Sequence, residues 1–245
     1  MKDYEQYKSY ICTQTGKAYP DFAVGTYMRT EIELLNLLNQ YPYDKIMLDT
    51  AFRYGNEFAV AQAVEKSQYP CENVIYIGKI NTFQQECGHT VREEFFATLR
   101  RLHLSKIDIY LIHSDRSPNI VTTWEEMILL RKLGLIDTIG VSNFSEKSIR
   151  KLYATSGVYP DVIQLAFPTN KFDIELQTLL QFCHNKKILV QIASPFGGID
   201  GSRSMSQTDR KELLKRIRRK GYTCVFGTTD IVHLRENVSW ISLGR

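Results

Sequence analysis

The sequence predicts an α/β fold, a single-domain (β/α)8 TIM barrel over residues 1–245, with a short N-terminal hairpin and a truncated C-terminal loop. Three observations predict it. Eight short apolar runs are rich in Val, Ile, Leu and Tyr and mostly do not alternate with polar residues. That is the pattern of parallel strands buried on both faces. Between the runs lie stretches of helical periodicity, with roughly 25 to 35 residues from strand to strand, the size of a βα unit. The competing doubly wound sheet would want a GxGxxG turn after an early strand. Gly55 follows a strand but stands alone.

In chain order the predicted strands are Phe22–Thr26, Lys45–Asp49, Val74–Lys79, Ile107–His113, Thr138–Asn143, Val162–Leu165, Ile188–Ser194 and Thr223–Phe226. The first helix, Glu31–Gln40, has Thr30 as N-cap and Glu33 three residues on, a capping box. Glu57–Ser67 places Phe58, Ala61 and Val64 on one stripe, and Val91–Leu102 does the same with Val91, Phe95, Leu99 and Leu102. Trp124–Leu133 stops at Gly134, with Trp124 expected in the core. Ser145 caps Glu146–Ala154, and Ile174–Asn185, Thr208–Lys220 and Ile231–Ile241 complete the set.

Composition narrows the function classes. There is no run of the roughly 18 apolar residues that a membrane-spanning helix needs, so no membrane partner is expected. Five scattered cysteines (Cys12, Cys71, Cys87, Cys183, Cys224) form no CxxC pair. They read as reduced thiols in a cytoplasmic protein rather than as a disulfide framework or a zinc site. No HExxH or other metal spacing occurs, so no metal is expected. A net charge of +4 is too mild to imply nucleic acid. The basic stretch 210–220 carries Leu213, Leu214 and Ile217 at helical spacing, so its charges read as a solvated outer face. His89, His103 and His184 have no partner pattern and are expected to face solvent.

A barrel concentrates chemistry at the C-terminal ends of its strands, and this chain places polar groups there repeatedly. Successive apolar runs end in or lead to Asp49, Lys79, His113, Ser142 with Asn143, Gln164, Ser194, and Gly227 with Thr228 and Thr229. Tyr54 lies five residues past Asp49. Asp, Tyr, Lys and His at one mouth form a proton-transfer set. A phenol is a weak acid, with an unperturbed pKa of about 10. A neighbouring ammonium lowers that pKa, and a carboxylate compensates the ammonium. A histidine can hold a substrate oxygen by hydrogen bond. Arg53 and Arg116 flank this set and could bind a substrate carboxylate, unless Asp115 neutralises Arg116.

The segments LDTAFRYGNE (48–57), IYIGK (75–79), IDIYLIH (107–113), LGLIDTIGVSNF (133–144), ASPFGG (193–198), LRENV (234–238) and TGKAYPDFAVGTY (15–27) together resemble the aldo-keto reductase family over nearly the whole chain. The resemblance implies a nicotinamide cofactor, NADP or NAD, bound across the barrel mouth, and a small-molecule aldehyde, ketone or alcohol as substrate. It implies Tyr54 as proton donor, Lys79 lowering its pKa, Asp49 pairing with Lys79, and His113 orienting the carbonyl oxygen. It further implies Ser142, Asn143 and Gln164 on the nicotinamide carboxamide, with Thr26 and Tyr27, at the end of the first strand, also binding the cofactor. Ser194, Phe196 and Gly197 would belong to the loop 194–204 over the pyrophosphate, and Thr228, Thr229, His233 and Asn237 to the adenosine side.

Three positions depart from the family pattern. Ala193 stands where an aromatic residue usually stacks on the nicotinamide. Gly227 and His233 stand where a Lys and an Arg hold the 2′-phosphate of NADPH, with Arg203 and Arg235 as other nearby sources of charge. The long C-terminal loop that often walls the substrate pocket is missing, which predicts an open mouth. Two alternatives use the same fold: a dinucleotide-binding regulatory protein, and a non-redox enzyme of dehydratase or isomerase type.

Overall fold

The computed structural model describes residues 10–12, 16–80, 90–166, 174–197 and 205–242. The expected covering loop from 198 to 204, His89, Cys87, Arg203 and the last residues, 243–245, lie outside the described residues. A two-stranded antiparallel hairpin, β1 (Tyr10–Cys12) and β2 (Ala18–Pro20), precedes the barrel. The barrel strands are β3 (Phe22–Gly25), β4 (Ile46–Asp49), β5 (Val74–Ile80), β6 (Ile107–Ile112), β7 (Ile136–Ser142), β8 (Val162–Ala166), β9 (Leu189–Ala193) and β10 (Thr223–Phe226). They pair in parallel in chain order, and β10 pairs with β3 to close the ring. The predicted (β/α)8 fold is therefore the observed one.

Outside the ring lie α1 (Glu31–Gln40), α2 (Glu57–Lys66), α3 (Val91–Leu102), α4 (Ile120–Lys132), α5 (Glu146–Ser156), α6 (Ile174–Asn185), α7 (Gln207–Arg219) and α8 (Ile231–Ser242). Capping sets several starts. Thr30 accepts from Glu33 N while Glu33 reaches back, and Thr90 and Glu93 do the same for α3. Ser145 and Ser206 cap α5 and α7. Two helix expectations need correction. α4 starts at Ile120, four residues before Trp124, because burial of Ile120 and Thr123 overrides the weak helix preference of β-branched residues. Phe58 is 52% exposed. The buried stripe of α2 runs through Val60, Ala61 and Val64, and the Phe58 ring lies edge-on to His103 instead.

Alternation along the strands sorts side chains into two cores. Ile46, Leu48, Tyr76, Ile112, Val190 and Phe226 point outward into a layer shared with the helices, where Trp124 is fully buried and donates to Val158 O at 3.2 Å. Ala23, Met47, Ile77, Ile109, Leu111, Val162 and Val225 fill the barrel interior, with Tyr19 of the hairpin among them. The period of two then determines which later residues point inward. Asp49 follows Met47, Lys79 follows Ile77, His113 follows Leu111, Gln164 follows Val162, and Gln191 and Ala193 follow Leu189. The interior admits little extra volume at Gly140, where an added Cβ would sit 2.3 Å from Val162 O. Among the described residues no helix is long and apolar enough to cross a membrane, and Cys71, Cys183 and Cys224 are free thiols.

Candidate active site

Asp49 ends β4, and the chain then makes a short 3-10 turn, Phe52–Tyr54, closed by Gly55 with φ 67°. This turn brings the Tyr54 phenol back within hydrogen-bond reach of Lys79 on β5. The turn itself is clamped from outside, where the Arg101 guanidinium lies over the Phe52 ring at 4.9 Å and bonds Glu57 at 2.5 Å. Within the mouth, Lys79 Nζ donates to Asp49 Oδ1 at 2.7 Å, to the Thr50 carbonyl at 3.2 Å and to Tyr54 Oη at 3.2 Å. An ammonium has three hydrogens, so all of them are committed. Lys79 has no exposed surface and Asp49 is 3% exposed. The His113 ring stands edge-on to Tyr54, with centroids 6.0 Å apart. The four sequence-predicted groups thus meet at one place.

Their protonation follows from the surroundings. Burial is the largest influence on Lys79 and works against its charge. The Asp49 carboxylate and the hydrogen bonds to Asp49 and Tyr54 nevertheless hold its pKa above the ordinary lysine value. For Tyr54, burial pushes the phenol pKa up and outweighs the lowering by Lys79, so the net direction is upward. This corrects the expectation of a lowered phenol pKa: Lys79 limits the rise without reversing it. Burial, then the Lys79 and Arg53 charges, push His113 down to about 3, so its ring is neutral near pH 7. His113 Nδ1 is buried with no hydrogen-bond partner among the described residues.

Ser142, Gln164 and Gln191 form a row across β7, β8 and β9, because Ser142 pairs with Gln164 and Gln164 with Gln191 in the register. Gln164 Nε2 donates to Asp49 Oδ1 at 2.9 Å and to Gln191 Oε1 at 2.7 Å. Both N–H groups of Gln164 are thereby used within the barrel. Asn143 has φ 54° and spends its side chain on Ser142 Oγ and on the backbone N–H of Ala166. Thr26 is also committed internally. It is fully buried, and its hydroxyl donates to the Asp49 carbonyl at 3.1 Å. Thr26 therefore fastens β3 to β4 and presents no free hydroxyl. Tyr27 is 46% exposed, with its ring 5.0 Å from that of Tyr54.

Beside this centre lies a cleft of about 270 Å³ lined by Ser194, Phe196, Gly197, Thr228 and Asn237, all predicted, together with Arg29, Pro195, Phe226 and Gly227. Ser194 has φ 50°, and the Gly197 N–H bonds its carbonyl, so the 194–197 turn is tight. The Phe196 ring stacks on Phe226. An added Cβ at Gly227 would meet nothing within 4 Å, so that side of the cleft is open. Asn237 Oδ1 and Arg29 Nε are buried without a partner among the described residues. Thr229 and His233 do not line the cleft. His233 is exposed and leans weakly on Asp230 at 3.9 Å, while Asp230 accepts the N–H groups of Val232 and His233 and so caps α8.

Sequence reasoning missed Arg29 and Gln191. Arg29 donates to Gly227 O at 2.7 Å and to Glu33 at 3.2 Å. It places a guanidinium in the lining of the cleft. No motif marks it, because it sits in a loop and reaches the cleft only across the β3–β10 seam. Gln191 carried a legible signal: a Gln in an otherwise apolar strand, at inward parity. Two further expectations change. Asp115 accepts from Ser145 N and Oγ, both at 3.0 Å, and so serves the α5 cap rather than neutralising Arg116. His103 is exposed, as expected, but it does have a partner, Glu65 at 2.6 Å. In the basic helix α7, Leu213, Leu214 and Ile217 are buried as expected, but not every charge lies on a solvated face: Arg218 is 16% exposed and pairs with buried Asp21 at 3.2 Å.

A profile of the Aldo/keto reductase family matches residues 26–238. The 2,5-diketo-D-gluconic acid reductase B of a Corynebacterium species is 33% identical over 159 residues, which cover 63% of this chain and 57% of that enzyme. The glycerol 2-dehydrogenase (NADP(+)) of Saccharomyces cerevisiae is 29% identical over 227 residues, covering 78% of this chain and 69% of that enzyme. Among solved structures, the crystal structure of an aldo/keto reductase from Brucella melitensis superposes with a TM-score of 0.80 at 22% identity, covering 95% of this chain and 92% of that one. At that identity the likeness concerns the fold.

Proposed function

The chain belongs to the aldo/keto reductase family and is an oxidoreductase of that type, and on this premise we propose that it uses NADP or NAD to reduce an aldehyde or ketone to an alcohol, or catalyses the reverse. The residues of the mouth and cleft suit a dinucleotide. Arg29 offers a cation, Asn237 Oδ1 an unpaired acceptor, the open side at Gly227 offers room, and the tight 194–197 turn offers backbone. When bound, the cofactor supplies or takes up the hydride.

The observation that carries the proposal is the commitment of all three Lys79 hydrogens to Asp49, Thr50 O and Tyr54 Oη. Because Lys79 donates to the phenol oxygen, the Tyr54 hydroxyl keeps its own hydrogen for an outside acceptor. A buried phenol with a raised pKa is protonated at neutral pH, so it is ready to donate. As the carbonyl oxygen gains negative charge, Tyr54 passes its proton there, and the phenolate left behind is stabilised by the Lys79 ammonium. His113, neutral and 6.0 Å from Tyr54 between ring centroids, is not a proton source at pH 7. With Nδ1 shut in without a donor, it directs the N–H of Nε2 at the same substrate oxygen and orients the carbonyl. Gln164 has only its carbonyl oxygen left for a ligand, so its contact with a nicotinamide carboxamide is as acceptor.

The test is turnover of a panel of aldehydes and ketones followed at the reduced-nicotinamide absorbance band, with both NADPH and NADH. Oxidation of the cofactor that depends on a carbonyl supports the reading. Tight dinucleotide binding with no turnover of any carbonyl or alcohol would overturn it.

A further inference from the structure

Asp49 accepts a second hydrogen bond besides that from Lys79, and the donor comes from the opposite side of the barrel, Gln164 on β8. The direction of this bond is determined by charge. An ionised carboxylate can only accept, so the amide nitrogen of Gln164 must face Asp49. That nitrogen carries a second hydrogen, which is buried and needs an acceptor. Gln191 supplies it, with its Oε1 at 2.7 Å. Gln191 is 2% exposed, is the register partner of Gln164, and touches none of Asp49, Lys79 and Tyr54 through any hydrogen bond described.

We propose that Gln191 is a positioning residue: by accepting from Gln164 it locks that amide in the one orientation that both donates to Asp49 and turns its carbonyl oxygen toward the ligand. A Gln164 without this acceptor leaves one buried N–H unsatisfied and is relieved by rotating. Rotation withdraws the donor from Asp49 and turns Oε1 away. The same row, Gln191–Gln164–Asp49–Lys79–Tyr54, therefore joins cofactor orientation to the proton donor. This rests on the proposed reductase function and deepens it.

The experiment compares the whole protein with Gln191→Met, of similar length but with no comparable acceptor, Gln191→Asn, whose carbonyl is one methylene short, and Gln191→Glu, which keeps length and acceptor. NADPH affinity is read by fluorescence titration, and the pH profile of kcat/KM by absorbance. Met and Asn are each expected to weaken NADPH binding about tenfold, the size of one buried hydrogen bond. With Asp49 no longer sharing charge with Gln164, its field on Lys79 and Tyr54 strengthens. The alkaline limb of the profile then moves up by about half a pH unit or more. Glu is expected to restore affinity to within about threefold of the parent. A Met or Asn variant that folds, by circular dichroism, yet keeps both affinity and alkaline limb overturns the role of Gln191. Asn preserves polarity and adds no bulk, so it carries the test if Met does not fold. Absence of dinucleotide binding in the parent protein would instead overturn the proposed function, so the two failures are distinguishable.

Discussion

Lys79 donates to the phenol oxygen of Tyr54 at 3.2 Å, across 25 residues of chain, and not the reverse. The direction matters because it leaves the Tyr54 hydrogen free for substrate. Tyr54→Phe removes that hydrogen and little else. The expected outcome is a loss of at least about a hundredfold in kcat, with dinucleotide affinity unchanged by fluorescence titration. Near-full turnover by this variant would remove Tyr54 from the role of proton donor.

Lys79 and Asp49 are both shut off from water, at 2.7 Å. Removing one partner strands the other as an uncompensated buried charge. Lys79→Met and Asp49→Asn should each cost about 3–5 kcal/mol of stability, read as a lower urea midpoint with the slope unchanged. Two variants as stable as the parent would mean that water reaches the pair.

His113 is pushed down to about 3 by burial and by the Lys79 and Arg53 charges, against about 6.5 in the unfolded chain. Between these values the unfolded state binds a proton that the folded state does not. Stability therefore rises with pH through this window and is lost as pH falls below about 6.5, with a limiting slope of about 1.4 kcal/mol per unit. His113→Asn lacks this contribution. Urea unfolding from pH 7 to 4 should show a shallower decline for the variant, and parallel curves would contradict the buried neutral imidazole.

Arg29 is the guanidinium of the cleft, held by Gly227 O and Glu33. Arg29→Ala should weaken dinucleotide binding about tenfold, the size of one charge-assisted hydrogen bond, and make the remaining affinity less sensitive to salt. Titrations at two ionic strengths check both. An unchanged salt dependence would mean that Arg29 meets no phosphate.

Gly140 and Gly78 both face crowded surroundings, but of different kinds. A Cβ at Gly140 would press on the backbone carbonyl of Val162 at 2.3 Å, and one at Gly78 on the end of the Ile107 side chain at 2.6 Å. Backbone in a closed barrel cannot move aside, whereas a side-chain terminus can. Gly140→Ala should therefore cost about 3 kcal/mol, the upper part of the range for overpacked cores, and Gly78→Ala about 1 kcal/mol. Equal thermal shifts would mean that the β7–β8 seam is looser than its geometry indicates.

Much of this architecture was legible along the chain. Continuous apolar runs of strand length, separated by helical stretches, read as strands covered on both faces, and polar residues at their ends collect at one mouth once the strands run parallel. Asp49, Lys79 and His113 could thus be placed at the mouth by position alone, whereas their inward parity became visible only once Met47, Ile77 and Leu111 were seen to fill the interior. Gln191 obeyed the same parity and was passed over because a single amide in an apolar strand carries no motif. Phe58 and the start of α4 went the other way. Local pattern and propensity are weak where burial against a neighbouring element decides.

The sequence by itself determined the barrel, the gathering of Asp49, Lys79 and His113 at one mouth and the place of Tyr54 on the loop after Asp49, because strands and their ends follow from the apolar pattern of the chain. Only the tertiary structure decided the direction of the Tyr54 shift, the neutrality of His113, the commitment of Thr26 and Asn143 to internal bonds, and the arrival of Arg29 at Gly227. Each of these depends on burial and on partners 23 to 198 residues away in sequence. Desolvation and hydrogen-bond direction exist only once those distant groups are in contact.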